Sequence, residues 1–307
     1  MKTKKIGSLD VTVVGLGTNN FGFGMEPDAV GPVVDRAIEA GINFFDTADS
    51  YLASEERLGQ ALKGRRDRVL IATKFGSPMG EGKGGASATY VREAAERSLR
   101  KLDIDCIDLY QLHRPDQNTP IAETLGALGE LVAEGKVREI GCSNFTAEML
   151  REAEQAVKDG TPKFVSVQNH YNLLQRGDES EAIPECEKLG ISYLPYFPLA
   201  SGLLSGKYTR GQTPPEGTRM HRWGDRAQGS LTDANFDIID ALSAWAKDHG
   251  HNVLELAIAW LAAKPFIGSV IAGATKPEQV TANVAAGEWD LSPAEVAEVD
   301  ALTEAAG

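Results

Sequence analysis

Cysteine is scarce in this chain. The 307 residues hold three, Cys106, Cys142 and Cys186, far apart and without a CxxC pair. That spacing excludes a disulfide framework and a cysteine-built zinc site, and no metal is expected. Long apolar runs are also missing, since none reaches the ~18 residues that a membrane-crossing helix requires. The basic start, Met1-Lys2-Thr3-Lys4-Lys5, is not followed by an apolar stretch and does not read as a secretory signal, so a cytoplasmic protein is expected. Positive charge is in short supply: 31 Lys and Arg stand against 44 Asp and Glu, a net charge of −13. Such a balance argues against nucleic acid or an anionic membrane as partner. It also means that an anionic ligand must be held by a local site against the global field. No Pro-, Gly- or Ser-rich linker and no low-complexity segment divides the chain, so residues 1–307 are expected to form a single domain.

What is present is alternation. KKIGSLDVTVVGLGT carries two extended runs around Gly7-Ser8, the pattern of a hairpin leading into a first strand. Eight strand-like runs follow: Val13–Thr18, Asn43–Ala48, Val69–Lys74, Cys106–His113, Val137–Ser143, Phe164–Asn169, Ser192–Pro198 and Ser269–Ala274. Helical periodicity lies between them. Val91, Ala95, Leu99 and Leu102 share one face, as do Ile121, Leu125, Leu128 and Val132, the latter with Thr119 as cap and Pro120 in the first turn. Ser292-Pro293-Ala294-Glu295 reads as a capping box opening a C-terminal helix. Eight strand–helix units of this length predict an α/β fold, a (β/α)₈ TIM barrel with an N-terminal β-hairpin and a C-terminal helix. The rival, a doubly wound sheet, announces itself with GxGxxG after the first strand. Here Gly15-Leu16-Gly17-Thr18-Asn19-Asn20 lacks the third glycine. Two stretches interrupt the alternation: glycine-rich Met79–Ser87, read as a mobile loop, and the long Ser201–Ser230, read as either a functional loop or a solvated segment.

The strand ends carry the chemistry. Asn43-Phe44-Phe45 is apolar and aromatic, then Asp46 arrives at its tip and Tyr51 shortly after. Alone, Asp46 could cap a turn and Tyr51 could be a packing residue. Strand three, however, ends in Lys74, strand four in His113, strand five in Cys142-Ser143-Asn144 and strand six in Gln168-Asn169-His170. In a barrel all these tips share the rim where active sites lie. A free phenol titrates near ~10, and a nearby ammonium lowers that value. A carboxylate anchors the ammonium, and a histidine can orient a carbonyl. Asp46, Tyr51, Lys74 and His113 together would form a general acid for an oxygen on which charge develops, as when a nucleophile adds to a carbonyl.

At this point the chain resembles the aldo-keto reductases over nearly its whole length. The matching blocks are NFFDTADSY with Ser54-Glu55, ATKF, LHRPD, GCSNF, VQNHYN, YFPLASGLLSGKY and GATKPEQVTAN, in that order. The resemblance implies an NADPH-dependent oxidoreductase that reduces an aldehyde or ketone to an alcohol. In it Tyr51 is the acid, Lys74 its neighbour, Asp46 the partner of Lys74 and His113 the carbonyl-orienting residue. It also implies cofactor contacts: Ser143, Asn144 and Gln168 to the nicotinamide carboxamide, Tyr196 stacked on the nicotinamide, and Leu199, Ser201, Gly202 and Leu204 around the pyrophosphate. Gly273, Thr275 and Lys276 precede a helix whose N-terminus would face phosphate, with Gln279 and Asn283 near the 2′-phosphate and adenine. Many members carry arginine where Gln279 stands, so here Lys276 would supply that charge and NADPH is expected over NADH.

Other residues have open readings. Phe21 and Phe23 are candidates for an apolar pocket wall, Trp223 with His221 for a cover over substrate, and Arg114 for an anion contact or an ion pair with Asp116 or Asp46. Two alternatives to the reductase remain open. One is an NADP(H)-binding regulatory or partner-binding protein of the same fold, as in the potassium-channel β-subunit group. The other is a Schiff-base aldolase using Lys74. The substrate and the oligomeric state are not legible.

Overall fold

The computed structural model describes residues 1–158 and 160–304. Strands β1 (Thr3–Ile6) and β2 (Leu9–Thr12) pair antiparallel. They lead into eight parallel strands: β3 (Val14–Gly17), β4 (Phe44–Asp46), β5 (Leu70–Phe75), β6 (Ile107–Leu112), β7 (Val137–Ser143), β8 (Ser166–His170), β9 (Ser192–Tyr196) and β10 (Val270–Gly273). Neighbours pair in sequence order, and β10 returns to β3. The remaining seam closes where the Tyr193 amide donates to Phe266 O and the Gly268 amide to Tyr193 O, both at 2.9 Å. The barrel is thus the one expected, and the strand bounds differ from the sequence reading by only a few residues at each end.

Helices cover the outside: α1 (Asn19–Gly22), α2 (Pro27–Glu39), α3 (Ser54–Ala61), α4 (Ala88–Leu102), α5 (Ile121–Ala133), α6 (Ala147–Ala156), α7 (Ala182–Leu189), α8 (Arg219–Trp223), α9 (Asp233–Asp248), α10 (Val253–Ala263), α11 (Pro277–Glu288) and α12 (Pro293–Glu304). Among the described residues, no helix is long and apolar enough to cross a membrane. Val91, Ala95, Leu99 and Leu102 bury one face of α4, and Ser87 caps it by accepting from the Tyr90 amide. The Ser292–Glu295 capping box forms in both directions. Thr119 does not cap α5. Its hydroxyl donates to Asp116 instead (2.8 Å), and Pro120 takes the cap position without a side-chain bond. Asp116 also collects the Ala86 and Asn118 amides, and this local cluster outcompetes the cap.

Period-two alternation sorts the strand residues. Outward-facing Leu16, Phe45, Ile71, Tyr110, Ile140 and Val167 join the helix-covered core. Inside, Phe44, Ala72, Leu109, Leu194 and Ile271 pack with Ile6, Leu9 and Val11 of the hairpin, which plugs the N-terminal end of the barrel. One pleat higher on the same inner face stand Asp46, two residues past Phe44, then Lys74 after Ala72 and Gln111 after Leu109. The barrel interior therefore changes from apolar floor to ionic rim within two residues per strand.

Candidate active site

The rim is built around a buried ion pair. Lys74 is fully buried, and its Nζ donates to Asp46 Oδ1 at 2.5 Å and to Thr47 O at 2.8 Å. The other oxygen of Asp46 accepts from Gln168 Nε2 (3.0 Å) and Gln111 Nε2 (3.3 Å). A buried pair survives only when such extra bonds satisfy its remaining lone pairs. Burial pulls against the charge on Lys74, but Asp46 and then Tyr51 hold its pKa above the usual value.

Tyr51 sits over this pair, with the Lys74 ammonium 5.2 Å from its ring centre. Its loop is clamped by hydroxyls. Thr18 Oγ1 donates to Asp46 O, Ser54 Oγ donates to Thr18 O, and Thr47 Oγ1 lies 2.9 Å from Ser54 Oγ. Gly22 is required beside it, because a Cβ there would meet Tyr51 O at 1.8 Å. The ammonium was expected to lower the phenol's pKa. The net direction is the opposite: burial raises it, with Lys74 and Arg219 pulling it back. The resting phenol therefore keeps its proton. His113 meets the Tyr51 ring edge-on (5.7 Å, 82°), and its Nδ1 lies 3.3 Å from Ser50 Oγ. Burial, with Lys74 and Arg114, pushes its pKa down to about 3, so the imidazole is neutral.

A cavity of about 680 Å³ opens from Asp46 and Tyr51 along the rim to α11. Of the residues for which the resemblance implies cofactor contacts, Gln168, Tyr196, Leu199, Ser201, Gly202, Gly273, Thr275, Lys276, Gln279 and Asn283 line it. Three residues of that set do not. Leu204 is fully buried in the core. Ser143 and Asn144 stand behind the wall: Ser143 Oγ donates to Gln168 O (2.6 Å), and Asn144 Nδ2 donates to His113 O (2.9 Å). Asn144 Oδ1 accepts from the Tyr196 hydroxyl (3.0 Å), and Tyr196 stacks on His170 at 5.2 Å and 9°.

The far half of the cavity is cationic. Lys207, Arg219, Arg222 and Lys276 line it, and none makes an ion pair with a carboxylate among the described residues. Burial and then the neighbouring arginines lower the pKa of Lys207, and burial and Arg222 that of Arg219. Arg219 instead donates to Asn19 Oδ1 (3.1 Å) and Asn20 Oδ1 (3.2 Å) and lies over the Phe197 ring. The backbone wraps tightly here, with positive φ at Phe197, Ala200, Ser201 and Gly202, and a Cβ on Gly202 would meet Lys207 Nζ at 2.6 Å. At α11 the first turn has no side-chain cap, and the Gln279 Oε1 accepts from the Thr275 amide (2.7 Å). A flat aromatic at one end, a tight backbone wrap, and, at the other, four cations unpaired among the described residues, with Glu216 the one acid besides Asp46 in the lining, suit a dinucleotide carrying several phosphates. The residues present fit a nicotinamide dinucleotide.

Lys207, Arg219, Arg222, Asn19 and Asn20 are not singled out by the sequence, which marks only the long loop Ser201–Ser230 that holds the first three. The available signal was five cations against two acids between Ser201 and Ser230 in an acidic chain. Trp223 and His221 do not line the cavity. Both are exposed, and His221 Nδ1 faces Pro214 O. Phe21 is core, whereas Phe23 is 43% exposed and meets the Tyr51 ring edge-on at 6.4 Å. Arg114 is exposed and pairs with neither Asp116 nor Asp46.

The family model for the "Aldo/keto reductase family" matches residues 13–304. An L-glyceraldehyde 3-phosphate reductase of Escherichia coli (strain K12) is 31% identical over 298 residues, covering 92% of this chain and 86% of that protein. A "Probable voltage-gated potassium channel subunit beta" of Oryza sativa subsp. japonica is 34% identical (87% and 84% covered). A "Probable aldo-keto reductase 1" of Glycine max is 36% identical (87% and 77% covered).

Proposed function

Given that the chain belongs to the aldo/keto reductase family, we propose that it is an NADPH-dependent reductase of aldehydes or ketones with Tyr51 as general acid. The observation that carries this reading is the pairing, in one cavity, of a protonated phenol over a buried Lys74–Asp46 pair with four cations that lack carboxylate partners. Lys207, Arg219, Arg222 and Lys276 would hold the phosphates, and Tyr196 the nicotinamide ring. When bound, the cofactor would supply the hydride that the carbonyl carbon receives. Tyr51 gives its proton to the carbonyl oxygen as charge builds there. The Lys74 ammonium, fixed by Asp46, stabilises the phenolate that Tyr51 becomes. Were Ser50 Oγ to donate to Nδ1, which lies 3.3 Å away, neutral His113 would carry its proton on Nε2 and orient the carbonyl by donating to its oxygen. Phe23, edge-on to the Tyr51 ring, and Leu52, next to Tyr51 in the chain, are both exposed and suit a substrate with an apolar portion.

NADPH preference rests on Lys276, since Gln279 is engaged with Thr275 and offers no charge. NADPH and NADH oxidation should be followed against a panel of aldehydes, ketones and sugar phosphates, with cofactor Kd from fluorescence titration. Turnover with NADPH at lower Kd than NADH is expected. Tight NADPH binding without turnover on any carbonyl would instead favour a partner-binding role.

A further inference from the structure

Buried side-chain polar atoms without a protein hydrogen-bond partner are not scattered. Among the described residues, seven of the nine fall in Asp49 (both carboxylate oxygens), Glu55, Tyr90, Arg97, Ser98 and Tyr110. These residues converge from four elements. Asp49 follows β4, Glu55 lies on α3, Tyr90, Arg97 and Ser98 line one face of α4, and Tyr110 points outward from β6. Thr73 of β5, paired in register with Tyr110, donates to Glu55 Oε1 at 2.7 Å. Lys101 of α4 reaches Glu55 Oε2 at 3.7 Å. The group thus lies outside the barrel, directly behind the loop that carries Tyr51.

Asp49 and Arg97 are opposite in charge but form no ion pair. Arg97 stacks on Tyr90 (5.1 Å) and pairs with Glu93 at 3.9 Å, yet makes no ion pair with Asp49. Oppositely charged groups beyond direct reach, each with free lone pairs or protons, are the surroundings in which a buried water finds its two to four partners. Tyr90 also walls a surface hollow of about 650 Å³ beside the glycine-rich loop Met79–Ser87.

We propose that this is a hydrated polar chamber, whose ordered waters join the Asp49 carboxylate to Arg97, Tyr90 and Tyr110, and that Asp49 acts through it as a positioning residue for the catalytic loop. Two bonds carry the effect forward. The Asp49 amide donates to Lys74 O (3.1 Å), and the next residue, Ser50, contacts His113 Nδ1. The charged and titratable groups facing Asp49 are Glu55 on α3, Tyr90, Arg97 and Lys101 on α4, and Tyr110 on β6. Burial and then Glu55 push the Asp49 pKa up to about 7, while Arg97, Lys101 and the Ser50 amide pull it down. The carboxyl therefore changes charge near neutrality, while His113 does not.

The inference rests on the proposed roles of Tyr51 and His113 only for its meaning, because neither readout of its test uses cofactor or substrate. The first is a high-resolution crystal structure at pH 8. Ordered water bonded to both Asp49 and Arg97 is expected, and a dry chamber or a direct Asp49–Arg97 pair would overturn the proposal. The second is the NMR shift of the His113 ring against pH, with the resonance assigned from His113→Asn. A transition with a midpoint near 7 is expected in the parent, a higher midpoint in Arg97→Met, and none in Asp49→Asn. A His113 ring that is flat across this range in the parent, or that titrates identically in Asp49→Asn, would contradict it. Should Asp49→Asn fail to fold, the Arg97→Met midpoint decides alone, and an unmoved midpoint refutes the link.

Discussion

The two halves of the cavity are built on opposite plans. At the Tyr51 end every charge already has its partner: Lys74 bonds Asp46 and Thr47, and Asp46 takes two further amides. At the other end Lys207, Arg219, Arg222 and Lys276 line the cavity, and among the described residues no carboxylate is bonded to any of them. The first half is pre-organised, as a group that must act at one geometry should be. The second is left in electrostatic debt, which an anion relieves. The contrast separates chemistry from grip, and it can be tested by removing charges from each side.

The largest effect is expected from breaking the satisfied half. Lys74→Met leaves Asp46 buried without its cation, which should lower stability by ~3–5 kcal/mol, measured by urea unfolding. The cationic half should respond the other way. Arg219→Met should leave the unfolding midpoint unchanged or slightly raised, because mutual repulsion with Arg222 is relieved. The same change should weaken NADPH binding by about 10- to 150-fold, corresponding to a charged hydrogen bond of ~1.5–3 kcal/mol. A further effect, spread over several pH units, concerns His113. Its folded-state pKa of about 3 lies below the ordinary value, so the unfolded chain binds the proton first. The neutral ring's contribution is complete above pH 6.5 and declines as pH falls towards 3, by at most ~1.4 kcal/mol per pH unit. His113→Asn should flatten that acid limb of the stability curve. Asp49, with its raised pKa of about 7, acts with the opposite sign: its contribution is fullest near pH 4 and is lost as pH rises to 7. The smallest effect is ionic: NADPH Kd should rise severalfold between 50 and 300 mM salt as the cations are screened, about as far as the Debye length of ~10 Å at 0.1 M allows.

The same contrast explains what could be read from the amino-acid order. Asp46, Lys74 and His113 sit at the ends of apolar runs, where a strand pattern fixes both the rim and the facing side, so these three were legible one by one, whereas Gln111 and Thr47, which complete the bonds of the pair, were not. Arg219 and Lys207 lie in irregular backbone, where no period says which side chains converge. Only their excess over acids hinted at a role. Thr119 was misread as a cap because Asp116, three residues away, offered its hydroxyl a better acceptor. Phe21 and Phe23 look equivalent two positions apart, yet Phe21 closes the core and Phe23 borders Tyr51. Likewise, the direction of the Tyr51 pKa depends on how far burial outweighs Lys74, a balance set by tertiary packing.

The most direct test measures kcat and NADPH Kd on Tyr51→Phe and Arg219→Met side by side. Tyr51→Phe is predicted to lose ~10²–10⁴-fold in kcat with Kd within about twofold of the parent, and Arg219→Met to show the reverse, a weakened Kd with kcat largely kept at saturation. If both variants lost turnover and affinity in parallel, or if Tyr51→Phe kept the parent's kcat, the division of the cavity into a proton-donating end and an anion-holding end would be wrong.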